Sequence, residues 1–197
     1  MRLIVITPET PVTAEAEAIM TMLDRGVERV HLRHPRLSAD DVAAIIEKTD
    51  VQYRYRLSLN DFHELASRYG CGIHLNGRNP RAPERFDGAV SRSCHSVAEA
   101  SAAAPMTDYR FISPVFDSIS KQGYTAAFTP GELRRAFDDG LLDGDTFALG
   151  GVSADNIGCL RDTGFSGAAV LGAAWGDGNS LEDISQRINR LLQCCNS

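Results

Sequence analysis

Short apolar runs alternate with amphipathic, helix-patterned stretches eight times along this chain, and few folds accept that order. The first unit is Arg2 to Thr7, followed by a 3.6-periodic stretch from Ala14 to Arg25. The series continues as strand Arg29 to Arg33 with helix Ala39 to Lys48, strand Arg56 to Asn60 with helix Phe62 to Tyr69, and strand Gly72 to Asn76 with an irregular, proline-containing segment. Next come strand Ala89 to Ser93 with helix Val97 to Ala103, and strand Tyr109 to Ser113 with helix Pro130 to Phe137. Strand Thr146 to Gly150 with helix Ala154 to Thr163, and strand Gly167 to Gly172 with helix Leu181 to Leu192, complete the set. Boundary chemistry agrees: Ser38-Ala39-Asp40-Asp41 fits a capping box, Ser153 can cap before Ala154, and Gly164 sits where a helix stops. Eight βα units in 197 residues predict one domain over residues 1–197, a closed parallel (β/α)8 TIM barrel. Such barrels usually run to about 250 residues, so the helices and loops must be short.

A net charge of −6 offers no general attraction to nucleic acid or to an anionic membrane, so a small-molecule ligand is expected. The opening run Leu3-Ile4-Val5-Ile6, broken by Thr7-Pro8, is too short for a signal peptide or a membrane span. Cys71, Cys94, Cys159, Cys194 and Cys195 lack CxxC spacing, which suits a reducing cytoplasm and neither a disulfide framework nor a zinc site. Cys94 is the candidate reactive thiol, set against its reading as a small half-buried residue.

In a barrel of this type the site lies at the C-terminal ends of the strands. Period-two alternation turns Val30 and Leu32 outward and His31 and Arg33 inward. By the same parity Ser58 and Asn60, then His74 and Asn76, face the axis. Six polar groups in one cavity, each costing roughly 1–3 kcal/mol if left unpaired, suggest a site satisfied by ligand or water; the competing reading is a polar plug that satisfies itself. His63 and His95 read as helix-start or surface residues. Glycines end the last two strands in Ala148-Leu149-Gly150-Gly151 and Leu171-Gly172-Ala173, where backbone N–H groups can meet an anion. Gly150, Gly151, Gly172 and Ala173 are therefore the expected phosphate site, with Lys121 as a mobile cation.

Across nearly the whole chain the order of motifs resembles the TenI and thiamine phosphate synthase family. Val30-His31-Leu32-Arg33, Leu59-Asn60-Asp61, Gly72-Ile73-His74-Leu75, Arg92-Ser93-Cys94-His95-Ser96, Ser113-Pro114-Val115-Phe116 with Ser118-Ile119-Ser120-Lys121, and Ala148-Leu149-Gly150-Gly151 carry the resemblance. It implies a cytoplasmic enzyme of thiamine biosynthesis that binds a phosphorylated thiazole, with Arg33, Asn60, Ser93, Ser118, Ser120 and Lys121 at the substrate. A synthase joins a pyrimidine diphosphate to a thiazole phosphate with magnesium between two aspartates. Here Asp61 is present, but the second position is Asn79, the clamp lysine is replaced within His34-Pro35, and Phe62 follows Asn60-Asp61. Asp61 is thus a weak magnesium ligand, expected to work only beside a bound diphosphate.

The departures tilt the resemblance toward the TenI branch, which tautomerises a thiazole carboxylate phosphate to its aromatic form and needs no cofactor. The histidine that serves that branch in the sixth-strand loop aligns with Pro114, so His31 becomes the expected acid/base, with His74 in reserve and Arg33 facing the substrate carboxylate. A divergent synthase that recruits His34, Asn79 or substrate oxygens, requiring magnesium, and a non-catalytic binder or regulator remain the alternatives. No nucleic-acid or membrane partner is expected, and a homodimer is left open.

Overall fold

The computed structural model describes residues 1–117, 125–176 and 180–196. Eight parallel strands close on themselves in sequence order: β1 Arg2–Ile6, β2 Arg29–Leu32, β3 Leu57–Leu59, β4 Gly72–Leu75, β5 Val90–Cys94, β6 Tyr109–Ile112, β7 Thr146–Leu149 and β8 Gly167–Val170. Helices α1 Glu15–Asp24, α2 Ala39–Lys48, α3 His63–Tyr69, α4 Val97–Ala103, α5 Pro130–Asp138, α6 Gly172–Trp175 and α7 Leu181–Asn196 accompany them.

Strand alternation splits the apolar residues into two cores. Leu3, Val5, Val30, Leu57, Leu59 and Ile73 face outward and pack with helix residues such as Ile19, Met22 and Ile46. Ile4, Ile6, Tyr109, Phe111, Phe147 and Ala169 fill the barrel itself. Helix ends follow the expected chemistry: Ser38 and Asp41 form a reciprocal capping box at α2, and Thr129 and Glu132 form another at α5. Trp175 of the four-residue α6 donates its indole N–H to the Ile6 carbonyl at 2.9 Å, closing the seam between β8 and β1.

The fourth connection is irregular as expected, and two elements differ from expectation. No helix forms between β4 and β5 among the described residues, because Gly77, Pro80, Pro83 and Gly88 break every possible turn. The seventh helix is a 3-10 helix at Ile157–Thr163, and its two buried side chains, Ile157 and Leu160, stand three residues apart, the period of that helix. A further 3-10 helix at Val51–Arg56, which carries no buried residue, leads into β3.

Candidate active site

The inward polar residues of β2 to β6 form a layer inside the barrel. His31 Nε2 lies 2.7 Å from the Tyr109 hydroxyl, which in turn lies 2.9 Å from Ser58 Oγ. Ser91 uses its own proton on the Ile73 carbonyl at 3.1 Å, so it must accept from His74 Nδ1–H at 2.9 Å. His74 Nε2 is then the acceptor for the Ser93 hydroxyl, also at 2.9 Å. Phe111 stacks on His74 with centroids 5.3 Å apart and touches His31 at 5.0 Å. Burial in this layer drives both imidazoles toward the neutral form: His74 is pushed down to about 3 by burial and then by His63, and His31 falls well below its usual value through burial, His74 and Arg29.

Parity therefore placed His31, Ser58, Asn60 and His74 correctly, but the layer is packed with aromatic rings rather than opened as a cavity. His74 is fully satisfied, as the self-satisfied plug would have it. His31 Nδ1 and Asn60 Oδ1 form no well-shaped hydrogen bond, yet they neighbour each other, and Asn60 acts on the His31 ring as a side-chain acceptor. Ser93 belongs to His74 through its hydroxyl, and Cys94 is fully buried with its thiol pushed up by that burial, which removes it as a reactive thiol.

At the rim, Arg33 falls one residue beyond β2 and pairs with Glu9 at 2.9 Å, its guanidinium half-buried. His34 turns away from the mouth. Its Nε2 meets Glu15 Oε1 at 2.7 Å inside the protein, and Glu15 also accepts from Val12 N–H, so this pair ties the loop after β1 to the end of β2. Asn76 does not face the axis: its amide donates to the Asn60 carbonyl at 2.6 Å, and its oxygen accepts from the backbone of Arg78 and Asn79.

Arg78, which the sequence reading passed over, dominates the next position. Its guanidinium grips the Asp61 carboxylate through two bonds, Nε to Oδ1 at 3.0 Å and Nη2 to Oδ2 at 2.9 Å, while Asn79 Nδ2 adds a third at 3.1 Å. The signal available was a cation beside the position where a carboxylate was expected. Magnesium does not fit here: the one carboxylate is neutralised on both oxygens, Asn79 acts as a donor, and the described residues hold no cluster of three or more acidic, histidine or cysteine ligands.

The β7 and β8 turns differ in what they ask of glycine. Gly150 and Gly151 have φ of +95° and +67°, and a Cβ on Gly151 would stand 2.4 Å from the Asp117 carbonyl. Their glycines are required by the chain's own packing against the loop after β6. Among the described residues a Cβ on Gly172 would meet nothing within 4 Å, so this turn does not need its glycine for packing. Ser118, Ser120 and Lys121 lie outside the described residues.

Comparison with known proteins agrees with this geometry. Residues 3–174 match the family described as thiamine monophosphate synthase. A thiamine-phosphate synthase of Serratia proteamaculans is 32% identical over 174 residues, covering 83% of this chain and 81% of the relative. The crystal structure of a thiamine phosphate pyrophosphorylase from Bacteroides thetaiotaomicron superposes with a TM-score of 0.88 at 31% identity, covering 100% of this chain and 98% of the other. A thiamine phosphate pyrophosphorylase from Pyrococcus furiosus shares the fold, with a TM-score of 0.78 at 21% identity over 99% and 95% of the two chains. A barrel closed in sequence order and a matching profile over nearly its whole length together establish that this chain belongs to the thiamine monophosphate synthase family.

Proposed function

We propose that this chain isomerises a carboxylated thiazole phosphate to its aromatic tautomer in thiamine biosynthesis, and does not couple it to a pyrimidine diphosphate. The observation that carries the reading is the Asp61 carboxylate, held on both oxygens by Arg78 and Asn79. Coupling expels diphosphate, a leaving group whose charge calls for a divalent cation between carboxylates. The residues that a divergent synthase would recruit instead are committed elsewhere: His34 to the buried Glu15, and Asn79 to Asp61 and the Asn60 carbonyl.

Isomerisation asks for less. The substrate phosphate meets the backbone N–H groups at Gly151, Gly172 and Ala173, where no described side chain crowds Gly172. Arg33 spends Nη1 on Glu9 and keeps the rest of its five-donor fork for the substrate carboxylate. Asn60 lines the floor and accepts from or donates to the ring. His31 and His74, buried and neutral beneath this floor, shape the pocket and set its polarity.

Coupling is the second reading, favoured by the names of the Serratia and Bacteroides relatives. Product analysis separates the two. Purified chain given the non-aromatic thiazole carboxylate phosphate should yield the aromatic form, and given both synthase substrates with magnesium should yield no thiamine phosphate.

A further inference from the structure

The proposed isomerisation needs a group that takes a proton from one carbon and returns it to another, and the sixth-strand loop carries Pro114, which can do neither. The residue beside that loop can. His95 follows the end of β5 directly, is exposed, and donates Nδ1–H to the Ser113 carbonyl at 3.2 Å, with Ser113 Oγ a weaker neighbour at 3.4 Å. Its backbone N–H is fixed as well, bonded to Glu99 Oε2 at 2.7 Å, within the capping arrangement in which Ser96 Oγ accepts from the Glu99 backbone. Two anchors on different elements thus hold one imidazole over the start of the Ser113-Pro114 loop.

This arrangement fixes the tautomer. With the proton on Nδ1 committed to a carbonyl, the lone pair sits on Nε2, which has no partner among the described residues. Pro114 in turn packs on the phosphate turn, since a Cβ on Gly150 would come within 2.9 Å of Pro114 Cα. His95, the Ser113-Pro114 loop and Gly150 therefore run in sequence around the rim over the ends of β5, β6 and β7. His31, His34, His63 and His74 are all buried, so among the histidines only His95 combines exposure with a place on this rim.

We infer that His95 is the acid/base of this site, standing in space where Pro114 has removed the sequence position of a proton carrier. The inference rests on the isomerase reading. In the step, Nε2 takes a proton from the sp3 ring carbon, the C–H electron pair enters the conjugated system, and the resulting imidazolium returns a proton to the exocyclic carbon. One C–H bond breaks and one forms, the ring becomes aromatic, and no electrons leave the substrate, so no co-reactant is needed. Arg33 and the phosphate turn hold the substrate while the proton moves.

The test is steady-state isomerisation of the non-aromatic thiazole carboxylate phosphate by the full chain and its variants. His95→Gln should lose about 10² to 10⁴ in kcat with little change in KM, and added imidazole should restore part of the activity of His95→Ala. Wild-type activity in His95→Gln, or loss confined to His31→Gln, overturns the assignment while the isomerase reading stands. So does a loss in His95→Ala that appears as lower thermal stability without imidazole rescue, since a helix-start residue would behave that way. A wild-type chain that turns over no substrate overturns the isomerase reading, and the assignment with it.

Discussion

Arg78 and Asp61 decide, at the scale of single residues, how charge is managed at the barrel mouth. A bidentate guanidinium already supplies the positive charge that a cation would bring, and two more hydrogen bonds to nearby amides fix the loop around it. Calorimetry of the ligand-free chain with magnesium chloride should therefore show no saturable binding tighter than about 1 mM. Micromolar binding that disappears in Asp61→Asn would contradict this and restore the synthase chemistry. Period two was enough to turn His31, Ser58, Asn60 and His74 inward from sequence. Their partners were not legible, because Tyr109, Ser91 and Ser93 arrive from strands with their own register, and because ring packing by Phe111 fills the space that parity alone leaves empty. His95 was legible as a helix-start residue, and only the closed barrel shows that its ring reaches the neighbouring strand's loop.

The strand ends and their turns set the next scale. All eight strands were readable because each alternates or runs apolar between breakers, although most end one or two residues earlier than the pattern suggests. The fourth connection was legible as irregular from its glycines and prolines, whereas the seventh helix was harder, because buried residues three apart fit an α-helix as well as the 3-10 helix that forms. The paired glycine turns yield a contrast that thermal denaturation and binding can check. Gly151→Ala should destabilise by about 1–3 kcal/mol or more, since positive φ and two backbone carbonyls oppose its Cβ. Gly172→Ala should fall within about 0.5 kcal/mol of the parent, since no described residue crowds its Cβ. Gly172→Asp should keep the fold and abolish binding of the thiazole phosphate; unchanged affinity by calorimetry would move the anion site elsewhere.

For the molecule as a whole, the polar layer makes folding sensitive to acid. His31 and His74 bind protons in the unfolded chain near 6.5 but resist them in the barrel, His74 down to about 3. The unfolded state therefore holds more protons below pH 6.5, so stability is complete above that value and falls with acidification, by up to about 1.4 kcal/mol per pH unit for each histidine. Urea titrations should show lower stability at pH 5 than at pH 7, by up to about 2 kcal/mol for His74 with His31 acting in the same direction, and His74→Gln should reduce the slope. A flat profile in the parent would mean that the layer is wet or open.

The same barrel that hides these imidazoles leaves a rim furnished with Arg33, His95, the glycine turns and a carboxylate already neutralised by Arg78. The direct measurement of that account is product formation by the purified chain supplied with the non-aromatic thiazole carboxylate phosphate, the pyrimidine diphosphate and magnesium, with and without EDTA. The account predicts aromatic thiazole carboxylate phosphate at a rate that EDTA leaves unchanged and no thiamine phosphate. Thiamine phosphate and diphosphate formed together, and lost on chelation, would contradict it.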